Sequence, residues 1–525
     1  MDMETVALIV LTVCFAGVWC LAALGAVHIF QLNSYKPTVQ RKWNYDHILE
    51  IIGKLWWMVL IPPLFLYFGV WGLWGSCLVC LVCCFFLRPK KAKKPLVFTA
   101  RVKRLLVTLG IIHAVLVLLL FLNRGQQNFF LMLYALAALC AYYLVLAANV
   151  INQPIEKAIN LRYINDAKRI LSEMPDLKVI GVTGSYGKTS VKFFTGKLLS
   201  AKYNVLVTPE SYNTTLGVVR TIREQLRPIH QIFVCEMGAR NVGDVQEICD
   251  IVHPDMGILT SIGPQHLESF KSIENVTKTK FELIDALPSY GTAFLNLDNE
   301  YIAARPTDRP VVGYRLAGPG QEPYEDCFCA FGVTVSARGS SFSLREPDGT
   351  VTAFQTRLIG EHNVLNICGA IAVARTLGVP VSELVPRVRR LESVPHRLEL
   401  VGGGNRVVID DAYNANPAGT RAALRVLSQF EALKILVTPG MVELGEKQEE
   451  LNRAFGQDAA AVCDYVVLVG EKQTRPIAAG LAAGGFAADR MAVAATVQEA
   501  VALADAFRPG EARVILLEND LPDNY

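Results

Sequence analysis

Lys188 and Thr189 stand in the stretch "GVTGSYGKTS" (Gly181–Ser190), where a short β-branched run meets a glycine turn and then a helical pattern. Backbone N–H groups at a helix start suit an anion, and glycines let the chain approach phosphate oxygens closely. Gly184, Gly187, Lys188, Thr189 and Ser190 therefore form a candidate phosphate-binding loop. Lys188 would neutralise β- and γ-phosphates, and Thr189 would offer its hydroxyl to Mg2+. Val182 occupies the place of the early glycine in the common form of this loop. Glu236 ends the next run, "QIFVCE", and His266 follows "MGILTSIG" in "PQHLESF". A carboxylate and an imidazole at strand ends beside such a loop are placed to serve a metal. A strand-end glutamate or a lone histidine is ordinary by itself; convergence on one sheet edge is what gives these two weight.

The elements that must position these residues are legible in outline. From Lys178 onward, short β-branched runs alternate with helical stretches, the pattern of a mostly parallel α/β sheet. A second α/β set follows "ESVPHR" in "VVIDDAY", "KILVTPG", "YVVLVG" and "RVILLE". The chain has 525 residues, enough for about three domains. Its hydrophobic share is 52%, with a mean hydropathy of +0.32, and the apolar excess lies before Val150. A net charge of +3 and the absence of a basic stripe argue against nucleic acid as a partner. Cys77, Cys80, Cys83 and Cys84 lie on neighbouring faces of an apolar helix without a nearby His or carboxylate, so they read as small apolar residues. Cys327 and Cys329 alternate along a predicted strand and read as packing residues.

Thr5–Leu32 is one apolar run, ample for a spanning helix of about 20 residues, behind an acidic start that does not suit a cleaved signal peptide. Leu105–Leu122 and Phe129–Val150 are two more, and Leu55–Leu87 is too long for one ordinary pass. Basic residues cluster at Lys36, Arg41 and Lys42 and again through "RPKKAKK", Arg101, Lys103 and Arg104. The positive-inside rule places both clusters in the cytoplasm. Leu55–Leu87 must then turn back, as a hairpin of two short passes or as a re-entrant pair. The expectation is about five passes over residues 1–150 with the N-terminus outside, a multi-pass α-helical membrane region. A juxtamembrane connecting helix follows over residues 151–177, carried by "IEKAINLRYINDAKRIL". Cytoplasmic α/β domains are expected over residues 178–394 and 395–525.

"TGSYGKTS", "EMGAR", "GPQHLESF", "KTKFE", "GEHNVLN", "VPHRLE" and "DDAYNANP" occur in this order from about Lys178 to about Gly470. The series resembles the Mur ligase family, the ATP-dependent amide-forming enzymes of peptidoglycan precursor synthesis. "DDAYNANP" followed by "MVELG" is most similar to the type that adds D-alanyl-D-alanine to a UDP-muramoyl tripeptide. The resemblance implies a P-loop central domain followed by a Rossmann-like C-terminal domain, with ATP and Mg2+ as cofactors. It implies that ATP phosphorylates a carboxylate and that an amine then displaces phosphate. Lys188 and Thr189 match the residues that grip phosphates and metal, and Glu236 and His266 match the metal-binding pair. Lys280 matches a lysine often carbamylated by CO2, whose anion supports a second metal; the bland reading of Lys278 and Lys280 is a solvated helix face. Asn363 and Asn366 match adenine-side contacts, and Arg397 and Asp411 match residues reaching ATP phosphate and ribose. Asn213, Thr214 and Thr215 resemble the stretch facing the carboxylate substrate.

Two departures bear on the substrates. The family's soluble members begin with a domain that holds the UDP moiety, and here membrane helices and one connecting helix stand in that place. "VTPGMVELG" replaces a more usual Gly-Asp-Met, and "VILLENDLPDNY" lacks a Lys-Gly-Ser-Arg-like segment. The leading expectation is a membrane-anchored amide ligase of the cytoplasmic membrane, acting on a cell-wall precursor that is either UDP- or lipid-linked, with an amino acid or peptide amine donor. A tethered D-alanyl-D-alanine-adding ligase is the second reading. An ATP-driven transporter or flippase is the third, weakened by apolar runs with few polar residues besides His28 and His113.

Overall fold

The computed structural model describes residues 3–88, 94–265, 267–336, 338–413 and 415–520, apart from the side chains of Arg124 and Glu268. His266 therefore lies outside the described residues. The chain forms two compact units that meet in sequence between Leu161 and Arg162.

The first unit is helical: α1 (Met3–Leu32), α2 (Pro37–Asp46), α3 (Ile48–Leu55), a 3₁₀ turn, α4 (Ile61–Phe68), α5 (Val70–Phe86), α6 (Ala100–Leu122), α7 (Gln127–Leu139) and the start of α8 (Ala141–Ser172). Leu8, Leu11, Phe15, Val18 and Ala22 of α1 centre its core. By length and composition, α1, the segment Ile48–Phe68 and α6 could each cross a membrane. The bent pair α7–α8 would make a fourth span, while α5, at 17 residues, is shorter. The run Leu55–Leu87 does turn back. It reverses at Gly69, and α4 packs on α5 so closely that a Cβ on Gly72 would collide with the Leu64 carbonyl. Gly72→Leu should pry this pair apart, because a backbone carbonyl cannot step aside as a side-chain tip can. Cys80, fully buried on α5, should then react with a maleimide at least tenfold faster than in the unmodified protein.

Phe129–Val150 is not one continuous helix. It breaks at Cys140, and α7 and α8 meet at 84°. A buried polar relay supports the break: Asn33 Nδ2 donates to Gln40 Oε1 (3.0 Å), Gln40 Nε2 to Asn44 Oδ1 (2.8 Å), and Asn44 Nδ2 to the Tyr142 carbonyl (3.0 Å). The last of these bonds gives the Tyr142 carbonyl, in the first turn of α8, a side-chain donor from α2, which braces the helix where the chain turns. Nor is the connecting helix separate, since α8 runs from Ala141 to Ser172 through Pro154. The polar residues in and beside these runs are paired along a seam. Arg104 makes two bonds to Glu156 (2.7 and 2.9 Å), Thr108 bonds with Asn152 (2.9 Å) and Arg101 with Asn149 (3.2 Å). His113 meets the Tyr134 hydroxyl at 2.6 Å.

The second unit holds two sheets. The first comprises β1 (Lys178–Thr183), β2 (Val205–Val207), β3 (Ile232–Glu236), β4 (Met256–Leu259), β5 (Thr292–Asn296), β6 (Val311–Leu316), β7 (Phe328–Ser336), β8 (Gly339–Arg345) and β9 (Val351–Thr356). Their order is β2-β3-β1-β4-β5-β6-β7-β8-β9, parallel through β7 and antiparallel from β7 to β9. Alternation sets its two faces. Ile180, Val182 and Val234 pack under α9 (Lys188–Leu199) and the helix Glu361–Thr376. Val179, Phe233 and Cys235 pack against α10 (Thr215–Gln225) and the helices Asp244–Val252 and Ile273–Asp285. Cys329 lies in β7 and Cys327 just ahead of it; both are buried.

The second sheet has β10 (Glu399–Gly403), β11 (Arg406–Asp411), β12 (Leu433–Thr438), β13 (Tyr465–Val469), β14 (Met491–Ala494) and β15 (Arg513–Glu518), in the order β10-β11-β15-β12-β13-β14. Only β10 runs antiparallel. Helices cover both faces, so ligands are expected at the C-terminal strand ends of each sheet.

Candidate active site

The loop after β1 is tied to the end of β4. Ser185 N–H donates to the Ser261 carbonyl (2.7 Å), Tyr186 N–H to Ser261 Oγ (2.8 Å) and Ser185 Oγ to the Gly263 carbonyl (3.1 Å). Gly184 lies against Thr260 and Ser261. Gly187, with φ of +79°, takes the left-handed conformation that starts α9, and a Cβ there would stand 2.7 Å from Asn366 Oδ1. Asn366 thus sits on the loop itself. Asn363 is buried one turn earlier and donates to the Ile359 carbonyl (2.9 Å). His362, beside it, is driven down to about 4 by burial.

Lys188 Nζ donates to the carbonyls of Gly184 (2.7 Å) and Ser185 (3.0 Å). Desolvation lowers its pKa to about 8; the Glu236 carboxylate opposes the shift and the Arg397 guanidinium adds to it. Thr189 Oγ1 donates to Glu236 Oε1 at 3.1 Å, and Asn213 Nδ2 reaches the same oxygen at 2.9 Å. Ser190 is buried beside Thr189. Glu236 ends β3 with no exposed surface. Burial alone would push its carboxyl up, but Lys192, Lys188 and Asn213 together hold it below the usual carboxylate range.

Lys192, one turn beyond Lys188, is a residue the sequence reading passed over. Its ammonium pairs with Glu236 Oε2 at 3.0 Å and donates to the Glu210 carbonyl at 2.6 Å. Oε2 meets that ammonium as an ion pair, off the line of a hydrogen bond. Thr189 and Glu236 offer hard oxygen donors with acceptor capacity left over, which fits Mg2+. Lys192 lay hidden because one lysine inside an amphipathic helix carries no signal of burial.

Lys280 is 2% exposed, whereas Lys278 lies in solvent, so the solvated-face reading holds for one lysine of "KTKFE" and fails for the other. Burial is the main cause lowering Lys280 to about 7, with Lys188 adding and Asp244, Glu282 and Glu236 opposing. An unfolded chain would bind a proton at Lys280 that the fold releases between pH 7 and about 10, so this group's contribution to stability rises with pH across that window. Lys280→Met should accordingly melt a few degrees above the parent protein at pH 7 in CO2-free buffer, with the gap closing toward pH 10. Equal melting temperatures at pH 7 would contradict a buried, strained amine.

Thr214 caps α10, accepting from Gly217 N–H (3.3 Å), and Thr215 Oγ1 donates to Glu247 (2.7 Å). Of the three residues expected to face the acid substrate, only Asn213 touches Glu236. Across the cleft, Arg397 stacks on Tyr413 at 4.3 Å, and its charge is felt by both Lys188 and Asp411. The Tyr413 hydroxyl meets Ser211, and Arg240 approaches Glu443 at 3.8 Å. Asp411, at the end of β11, accepts from Leu398 N–H (3.2 Å) and is raised to about 6, mainly by burial.

Residues 182–374 match the Mur ligase middle domain and residues 396–517 match the Mur ligase, glutamate ligase domain. The chain is 31% identical over 344 residues to the UDP-N-acetylmuramoyl-tripeptide–D-alanyl-D-alanine ligase of Escherichia coli K12, covering 65% of this chain and 75% of that enzyme. The Bacillus subtilis enzyme of the same name is 29% identical, over 55% of this chain and 62% of its own length. Among solved structures, MurF from Acinetobacter baumannii superposes with a TM-score of 0.61 at 27% identity, covering 69% of this chain and 77% of that one. MurF from Thermotoga maritima, solved in complex with ADP, has the same fold, with a TM-score of 0.60 at 24% identity over 69% of this chain and 80% of that one.

Proposed function

The chain belongs to the Mur ligase family, and from that premise we propose that it joins an acid of peptidoglycan precursor synthesis to an amine, as an ATP-dependent, ADP-forming ligase. The observation that carries the reading is the gathering of Lys188, Thr189, Glu236 and Lys280 at one strand-end edge, within the field of Arg397 from the following sheet. One portion, 178–394, holds ATP and the acid; the other, 395–525, brings the amine.

ATP phosphates exchange for the loop carbonyls as partners of Lys188, and backbone N–H groups at the start of α9 take the remaining charge. Thr189 and Glu236 would hold Mg2+, which would supply charge neutralisation where the phosphoryl group is transferred. Glu236 stays anionic because of its three partners, and Lys192 fixes its orientation. An acid oxygen attacks the γ-phosphorus, the bond to the bridging oxygen breaks, and ADP leaves with the electron pair. The amine nitrogen then attacks the acyl carbon, forming the amide and expelling phosphate, while its proton passes to solvent. Arg397 balances charge that develops as the two portions close and exclude water. Asn363 and Asn366 lie on the adenine side, Asp411 on the ribose side, and Asn213, with Thr214 and Thr215 holding its turn, faces the acid. His266 completes the metal set in this reading.

Lys280 carries a carbamate formed from CO2. Its amine, lowered to about 7, is a nucleophile at physiological pH, which supports this assignment. The first unit anchors the enzyme in the cytoplasmic membrane with its catalytic portions in the cytoplasm, supported by three apolar helices of spanning length and the basic clusters between them. A lipid-linked acid is the acceptor favoured by that arrangement. Phosphate release with UDP-muramoyl tripeptide and with its lipid-linked counterpart, each with D-alanyl-D-alanine and other amines, tests the choice. Full turnover on the soluble acid alone would remove the lipid-linked acceptor.

A further inference from the structure

Lys192 lies one turn beyond Lys188 on α9 and is 3% exposed. Two fixed groups hold its ammonium, Glu236 Oε2 at 3.0 Å and the Glu210 carbonyl at 2.6 Å. Glu210 takes a left-handed backbone conformation, with φ of +43°, and Glu236 N–H donates to Thr208 Oγ1 (3.1 Å) two residues before it. Lys192 thus ties α9 to the end of β3 and to the loop after β2. It cannot swing aside without stranding a buried charge. The two oxygens of Glu236 are therefore unlike. Oε1 accepts from the Thr189 hydroxyl (3.1 Å) and the Asn213 amide (2.9 Å), neutral donors that can turn to other acceptors. Oε2 faces a fixed positive charge, which repels a second cation from that side. Only Oε1 is left for a divalent cation.

Among the described residues no group of three or more His, Cys, Asp or Glu could hold a metal ion, so no cage of acids sets the choice of cation. The choice falls to how Glu236 presents its oxygens. Mg2+ takes about six ligands in a strict octahedron, shared among phosphates, waters and one or two carboxylates. Ca2+ is larger, takes about six to eight oxygens and readily spans both oxygens of one carboxylate. We propose that Lys192 selects Mg2+ over Ca2+, by closing Oε2 and leaving Glu236 a one-oxygen ligand. Lys192 is a positioning residue, acting through Glu236 rather than on the nucleotide. The inference rests on the ligase reading and deepens it, naming what sets the cation that accompanies ATP.

The test is equilibrium binding of adenylyl imidodiphosphate, a non-hydrolysable ATP analogue, to the detergent-solubilised full chain. Bicarbonate is held fixed, and either Mg2+ or Ca2+ saturates the analogue. The parent protein is expected to bind the Mg2+ complex about tenfold or more tightly than the Ca2+ complex. Lys192→Gln removes the charge and keeps a polar side chain, and its ratio should fall below about threefold, chiefly because the Ca2+ complex gains. A role confined to holding the fold would weaken both complexes alike and leave the ratio at the parent's value. Melting temperature without added cation reports folding, and Lys192→Met is the second neutral variant. If both variants melt early, the parent ratio decides alone: tenfold supports the proposal and equality overturns it. A folded variant that keeps the parent's ratio also overturns it. A parent protein that binds the analogue with neither cation would sink the ligase reading itself, a separate result.

Discussion

Lys188→Ala is expected to reduce ATP-dependent phosphate release about 1,000-fold while the protein stays folded. The side chain's hydrogen bonds go to two loop carbonyls, Gly184 and Ser185, which can take water instead, so the structural loss is small. The loss in function is large because Lys188 is the loop's cation at the point where phosphate charge builds, and preorganised groups of this kind are worth about 10²- to 10³-fold each. Lys188→Arg should not rescue, because the guanidinium is larger and the loop is closed around Gly187 and Asn366. Steady-state phosphate release with an active acid–amine pair measures it, with circular dichroism as the folding control. Release within tenfold of the parent protein would overturn the assignment of the loop.

Removing CO2 should cost nearly as much as removing Lys280. At pH 7.4 an ordinary lysine is neutral in roughly one molecule in a thousand, and an amine near pKa 7 is mostly neutral. Only the neutral amine attacks CO2, forming an N–C bond and releasing a proton. Carbamylation replaces a buried amine, 2% exposed, with an anion, within the fields of Lys188 and Glu236. Activity in CO2-stripped buffer is expected to fall about 100-fold and return with bicarbonate, the return becoming more complete as pH rises through 7. Lys280→Met should show the low activity with or without bicarbonate. A 13C carbamate resonance after 13CO2 treatment should appear in the parent protein and vanish in the variant. Bicarbonate-independent activity, or a fully active Lys280→Met, would exclude the carbamate.

The parts of the site set by local pattern were readable from sequence. "KVIGV" followed by glycines and Lys-Thr gives a strand, turn and helix in any context, and the order of seven motifs carried the family. Glu236 was readable as a strand end because the continuous apolar run "IFVC" stops there. What sequence hid depends on contacts between distant segments. Lys192 and Lys280 look like surface lysines until Glu236 and the Phe270 ring are brought to them. In the N-terminal unit, hydropathy marked the apolar runs, and the basic clusters flanking Leu55–Leu87 required that run to turn back without placing the turn at Gly69. It could not mark the bend at Cys140, beside which Asn44 reaches Tyr142 from 98 residues away.

The account stands on transfer of phosphate to a carboxylate before the amide forms. The direct measurement is isotopic: UDP-muramoyl tripeptide and its lipid-linked counterpart, each labelled with 18O in the terminal carboxyl, are turned over with ATP and an accepted amine, and the released phosphate is weighed by mass spectrometry. One 18O per phosphate is the expected result, because the acid oxygen that attacks the γ-phosphorus departs with it when the amine displaces phosphate. Phosphate released without label, during turnover that yields amide, would mean that water and not the acid received the phosphoryl group, and the ligase mechanism argued from Lys188, Glu236 and Lys280 would be wrong.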